Sequence, residues 1–235
     1  MAMMDSVGFS AFDERPLPVS TTVTSAKEPA KALGGIAKRG LDILIAGTAL
    51  TLLAPLFLLV AAAVKFASPG PIFYGHKRIG HGGASFRCWK FRSMVTDGDR
   101  VLEEYLAKHP DERDEWETTR KLRNDPRVTR IGAVLRAYSV DELPQLINVL
   151  LGDMSIVGPR PVVQDELDMY GEAAPLYLST RPGITGLWQV SGRSDTSYDQ
   201  RVALDTRYVQ AWSLWSDLVI ILRTVPAVIS SKGSY

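Results

Sequence analysis

Twenty-two consecutive residues without a formal charge, Ile43 to Val64 (ILIAGTALTLLAPLFLLVAAAV), constrain this chain more than any other feature. At 1.5 Å rise per residue such a helix spans ~33 Å, about the thickness of a bilayer core. Three readings compete: a straight crossing, a helix that enters the membrane and returns, and a buried helix of a soluble core. Pro55 stands mid-stretch, where it removes a hydrogen bond and kinks a helix. Basic residues flank both ends, with Lys31, Lys38 and Arg39 before and Lys65, Lys77 and Arg78 after. Because Lys and Arg gather on the cytoplasmic side, the preferred reading is a re-entrant membrane helix over residues 36–67, bent at Pro55. A start ~40 residues into the chain is too late for an ordinary signal peptide.

The rest of the chain is balanced. Lys and Arg number 27 against 26 Asp and Glu, so a net charge of +1 gives no reason to expect nucleic acid as a partner. The lone Cys88 cannot form an internal disulfide, and no Cys or His cluster has zinc-ligand spacing, which suits a reducing compartment. Cys88 is read as a small buried filler. Residues 1–35 mix Pro, Ser, Thr and Lys without periodicity and are expected to be a disordered lead-in. After it and the membrane helix, residues 68–235 form one domain, so the fold class expected is α+β, mostly helical. IFYGHKRIG and SFRCWKFRSM, joined around Gly82-Gly83, predict a short β-hairpin. Thr96 to Arg123 predicts a charged solvent-facing helix or helix pair, and Leu143 to Leu151 a helix stopped by Gly152. Val163 to Tyr170 predicts a further helix, RPGITG a loop, and Tyr198 to Ile229 amphipathic helix, whose Trp212 and Trp215 suit either a membrane interface or the core.

Candidate chemistry begins at Asp141-Glu142. Pro144 is tolerated only in a first helical turn, so this acidic pair stands at a helix start, where free N–H groups and the helix dipole attract anions. The plain alternative is capping, with Ser139 and Glu142 as a capping box. Cations recur around the pair: Lys90, Arg92, Arg127, Arg130, Arg136 and Arg160, the last held between prolines. Arginine forks grip phosphate oxygens in pairs, so the set suits a diphosphate substrate. Asp97-Gly98-Asp99 has the spacing of a metal-holding Asp-x-Asp, although Asp97 is equally a helix N-cap. Gly80-His81-Gly82-Gly83 lacks the spacing of a phosphate-binding glycine loop, and His76, His81 and His109 show no triad partners.

KFRSM, NDPRVTRIG, YSVDELPQLINVLLGDMSIVGPRP and RPGITGLWQVSGR occur here in one order. In this the chain resembles the small monotopic phosphoglycosyl transferases among bacterial sugar transferases, over about Ile36 to Ile229. The resemblance implies a catalytic dyad at Asp141 and Glu142, Mg²⁺ held with the help of Asp141, and phosphate contacts from Lys90, Arg92, Arg136 and Arg160. It also implies transfer of a hexose 1-phosphate, glucose or galactose, from a UDP-sugar to polyprenyl (undecaprenyl) phosphate. UMP would be released at the cytoplasmic face of the bacterial inner membrane, as the first step of exopolysaccharide or related glycan assembly. Lipid, a second copy or glycan-assembly proteins would be its partners. One departure stands out: the family's helix-breaking Ser-Pro is here Ala54-Pro55, without a hydroxyl to satisfy a freed carbonyl. The competing readings are a metal-dependent glycosyltransferase using Asp97 and Asp99, which would release UDP, and a non-catalytic membrane scaffold.

Overall fold

The computed structural model describes residues 31–119, 122, 124–191 and 197–229, so all but the last five residues of the expected lead-in lie outside it. α1 runs from Gly35 to Ala67 with Pro55 inside, and by length and composition it is able to cross a membrane. Two stretches of α1 meet the rest of the protein. In the first, Lys38, Asp42 and Ala46 recur every four residues and are buried. Asp42 accepts hydrogen bonds from Ser155 Oγ and the Ile156 N–H, both at 2.9 Å. In the second, Phe57, Val60 and Val64 pack against Phe91 and Leu135. Between them, Thr51 to Leu56 is exposed on every side save for half-buried Leu53.

The predicted hairpin is present. β1 (Phe73–Ile79) and β2 (Ser85–Phe91) pair antiparallel, with Tyr74 opposite Lys90 and His76 opposite Cys88. Gly82 and Gly83 turn the chain with φ of 66° and 84°, which favours glycine. The charged segment forms the helix pair α2 (Gly98–Lys108) and α3 (Pro110–Thr119), closed by Leu102, Leu106 and Leu122. α4 (Arg130–Ala137), which the sequence reading did not anticipate, starts at Thr129, whose hydroxyl accepts the Gly132 N–H at 2.9 Å. A 3₁₀ turn, Val140–Glu142, then leads into α5 (Gln145–Leu151), and Gly152 ends it in the left-handed region.

One expectation is corrected. RPGITG is not simply a loop, because Gly183–Thr185 is a strand, β4, parallel to β3 (Ser155–Val157). Both are only three residues long, and β3 is buried on both faces, so no alternation betrays them in the sequence. The chain continues through α6 (Gln164–Asp168), α7 (Ala174–Leu178), α8 (Leu187–Val190), α9 (Tyr198–Gln210) and α10 (Leu214–Ile229). Among the described residues the protein is thus mostly helical, with two small two-stranded sheets. Its main core gathers Ala46 of α1, Val149, Met154, Val157, Tyr208 and Ile220. α10 buries Asp217 and Ile220 and exposes Trp215, Leu218, Leu222 and Val225.

A buried ionic cluster joins the first helix to the last. Lys38 Nζ lies 2.6 Å from Asp217 Oδ2, Tyr208 donates to Asp217 Oδ1 at 2.7 Å, and Trp212 Nε1 donates to Oδ2 at 3.1 Å.

Candidate active site

Strand parity puts Cys88 and Lys90 on one face of β2, and both line a cleft with about 300 Å³ of open space. Arg78 of β1, Glu142, Gln145 of α5, Arg160, Pro161 and Gln189 of α8 complete most of its wall. Lys90 is its electrostatic hinge. Its ammonium lies 2.6 Å from Glu142 Oε1 and 3.9 Å from Asp141 Oδ2. Successive residues of a 3₁₀ turn point ~120° apart, so the two acids diverge. The Glu142 side chain is 26% exposed and lines the cleft, whereas that of Asp141 is 9% exposed, beside the same Lys90 at the cleft edge.

Their protonation follows from these positions. Burial raises the Asp141 carboxyl above the ordinary carboxylate range, and repulsion by Glu142 adds to this while Lys90 and Arg136 pull the other way. Burial also pushes Glu142 upward, but Lys90 and Arg160 outweigh it and leave that carboxyl below its usual value. The Cys88 thiol is pushed up to about 11 by burial, which leaves it a neutral filler on the cleft floor.

Glycines hold the opposite wall. Gly158 donates to Thr185 O at 2.9 Å and Gly183 donates to Pro159 O at 2.8 Å, lacing the two loops around Arg160 together. A Cβ on Gly183 would stand 2.1 Å from Gly158 N, and one on Gly158 would stand 2.5 Å from Arg181 O, so neither position has room for a side chain.

Of the six cations picked from the sequence, the structure brings Lys90 and Arg160 to the cleft. Arg92 is buried and its guanidinium donates to the carbonyls of Ser68 and Pro69, clamping the turn after α1 rather than facing the cleft. Arg136 Nε donates to Ser93 Oγ at 2.9 Å and lends its charge to Asp141. Arg127 pairs with Asp125 at 2.6 Å, and Arg130 is exposed at the start of α4. Ser139 makes no capping hydrogen bond; it sits at φ 55°, so the capping-box alternative fails. Asp97 opens α2, but its carboxylate pairs with Arg100. Arg78, Gln145 and Gln189 are cleft residues that the sequence reading missed; for Arg78 the signal was its place in a strand opposite the Lys90 strand.

No group of three or more His, Cys, Asp or Glu side chains stands together among the described residues. The Asp141 carboxylate, with Glu142 engaged by Lys90, is the single protein oxygen ligand that Mg²⁺ chemistry accepts, since that ion fills its remaining positions with water and substrate phosphate.

Residues 33–231 match the family described as bacterial sugar transferase. The chain is 61% identical over 205 residues to the exopolysaccharide production protein ExoY of Rhizobium meliloti, covering 87% of this chain and 91% of that one. It is 48% identical over 206 residues to an undecaprenyl-phosphate galactose phosphotransferase of Salmonella typhimurium, covering 88% of this chain and 43% of the longer relative. A UDP-glucose:undecaprenyl-phosphate glucose-1-phosphate transferase of Caulobacter vibrioides is 45% identical over 206 residues, 84% of this chain and 72% of that one.

Proposed function

Because the chain belongs to the bacterial sugar transferase family, we propose that it transfers a sugar 1-phosphate from a UDP-sugar to undecaprenyl phosphate, releasing UMP, to begin exopolysaccharide assembly. The sugar is a hexose, glucose or galactose, as in the names of the relatives. The observation that carries the mechanism is the acidic pair bridged by Lys90 at the edge of a cleft walled by Arg78 and Arg160.

In this mechanism a carboxylate oxygen of Asp141 attacks the phosphorus next to the sugar. The bond from that phosphorus to the bridging oxygen breaks, UMP leaves with that oxygen, and an aspartyl-phosphosugar remains. A phosphate oxygen of the polyprenyl phosphate then attacks the same phosphorus and frees Asp141, giving a diphosphate-linked lipid. The anomeric bond is untouched, so the sugar keeps its configuration. Lys90 and Arg160 balance charge on the transferring phosphoryl oxygens, and Glu142 holds Lys90 in place. Mg²⁺, held by Asp141 with the help of Glu142, would supply further charge neutralisation at the diphosphate. Burial keeps the nucleophile away from bulk water, which limits hydrolysis of the covalent intermediate.

The same reading puts α1 in the membrane as a re-entrant element at the cytoplasmic face of the inner membrane. Contact of both flanks of α1 with a single domain supports it, since a straight crossing would carry the second flank away to the opposite side of the bilayer. The exposed girdle around Pro55 and the apolar stripe of α10, with Trp215 and Leu222 exposed by 73% and 71%, support a seat at the lipid surface. Such a seat lets a lipid-bound acceptor and a water-borne donor meet without either leaving its solvent.

The test is chromatography of the nucleotide released by the purified chain with Mg²⁺, undecaprenyl phosphate and a panel of UDP-sugars. UMP that depends on both the lipid and one sugar is the expected product, and Asp141→Asn abolishes it while the protein still fractionates with membranes. Release of UDP instead would overturn phosphosugar transfer, and a fully active Asp141→Asn would overturn its role as nucleophile.

A further inference from the structure

The arginines of this domain differ in what they are doing. Arg39, Arg78, Arg92, Arg127, Arg136 and Arg181 each donate to an acceptor within the protein. Arg160 and Arg201 are the two partly buried arginines whose guanidinium groups donate to nothing among the described residues. Both lie against one aromatic ring. The Arg201 guanidinium carbon is 4.4 Å from the Trp188 ring centroid and that of Arg160 is 5.9 Å from it. Arg201 also stands 5.5 Å from the ring of Tyr198.

A guanidinium held over a ring by cation–π attraction leaves its N–H donors unspent. Two such groups on one ring would ordinarily repel, and Arg201 Nε is buried with no acceptor at all. A buried charged donor without a partner is destabilising, which points to an acceptor that arrives with a ligand. One turn along α9 from Arg201 is an anion, Asp205, buried and taking a hydrogen bond from Tyr170 at 2.8 Å. Both arginines act on Asp205 electrostatically, yet neither donates a side-chain hydrogen bond to it. Asp205 also titrates high, at about 7, so its charge offsets the two cations incompletely at neutral pH.

We propose that Arg160 and Arg201, both lying over the Trp188 ring, form a two-guanidinium cradle for a phosphate group of the substrate, with Arg201 extending the positive wall of the cleft beyond Arg160. The ligand chemistry is a phosphate ester, and the nucleotide diphosphate is the source the location favours, because Arg160 already faces the cleft where that diphosphate reacts. Arg201 is then a substrate-binding residue well separated in sequence from the acidic pair. This rests on the phosphosugar-transfer reading for the choice of nucleotide, but the binding itself does not depend on turnover.

The experiment uses the full chain in detergent or nanodiscs. UMP and inorganic phosphate are titrated by calorimetry against the parent protein, Arg201→Gln and Arg201→Lys, and KM is measured separately for the UDP-sugar and for the polyprenyl phosphate. Loss of one charge-assisted contact predicts UMP binding weaker on the order of ten-fold in Arg201→Gln, with KM for the UDP-sugar rising in parallel and Arg201→Lys between the two. A rise confined to KM for the polyprenyl phosphate would keep the cradle and assign it to the lipid's phosphate. UMP affinity and both KM values unchanged, with thermal stability or kcat alone reduced, would overturn the proposal and leave Arg201 a structural stack. If the parent itself releases no UMP, phosphosugar transfer fails while the calorimetric result still decides the cradle.

Discussion

The Lys38–Asp217 pair offers a sharp energetic test, because its side chains are only 5% and 1% exposed and its members belong to the first and last helices described. Replacing Asp217 with Asn keeps the shape but takes from the Lys38 ammonium the carboxylate it pairs with, leaving Asp42 as the other buried acid that acts on it. It also turns one amide face toward donors, since Lys38, Tyr208 and Trp212 all donate to this carboxylate. Removing one partner of a buried pair costs about 3–5 kcal/mol, most of it the uncompensated charge. At ~2–4 °C per kcal/mol for a chain of this size, the Tm should fall by roughly 6–20 °C. Thermal unfolding of the full chain in detergent, followed by tryptophan fluorescence, measures this directly. The double variant Lys38→Met with Asp217→Leu should recover most of the loss, since both desolvation penalties disappear and only the acceptors of Tyr208 and Trp212 go missing. An Asp217→Asn protein with the parental Tm, or a double variant no better than the single one, would refute the view that stranded charge dominates.

Three further outcomes follow from the same geometry. Lys90→Met removes a cation that pulls the Asp141 carboxyl down against burial, so the acid limb of kcat/KM against pH, set by the nucleophile, should move to higher pH. Asp205 is raised from 3.8 to about 7 in the folded protein, so folding favours its protonated form; the associated stability is present below pH ~4 and lost as pH rises through about 7. Asp205→Asn should therefore flatten the dependence of Tm on pH over that window. Cys88, buried and pushed up to about 11, should resist iodoacetamide at pH 8 in the native protein and react fully once unfolded, as counted by mass spectrometry.

What the sequence made legible was whatever local chemistry controls. An uncharged run produced a helix long enough for a bilayer, a glycine pair between alternating segments produced the hairpin, and a glycine after a short apolar helix produced its stop. What escaped it depends on contacts between distant segments. β3 and β4 are three residues each and exist only because Gly158 and Gly183 approach one another. Arg92 shares strand parity with Lys90, yet β2 ends at Phe91 and the chain swings toward the turn after α1. Arg201 lies in a helix of ordinary composition, and nothing local in the sequence marks it as free of partners.

The laced glycines on the far wall of the cleft bear on the thermodynamics of recognition. With Gly158 donating to Thr185 O and Gly183 donating to Pro159 O, the stretch just before Arg160 is tied by backbone hydrogen bonds to β4. A rigid aperture spends little ordering entropy when a donor enters, so affinity comes from contacts already in place. For the cleft proposed as the donor site, discrimination among sugars then rests on fit against walls already in place.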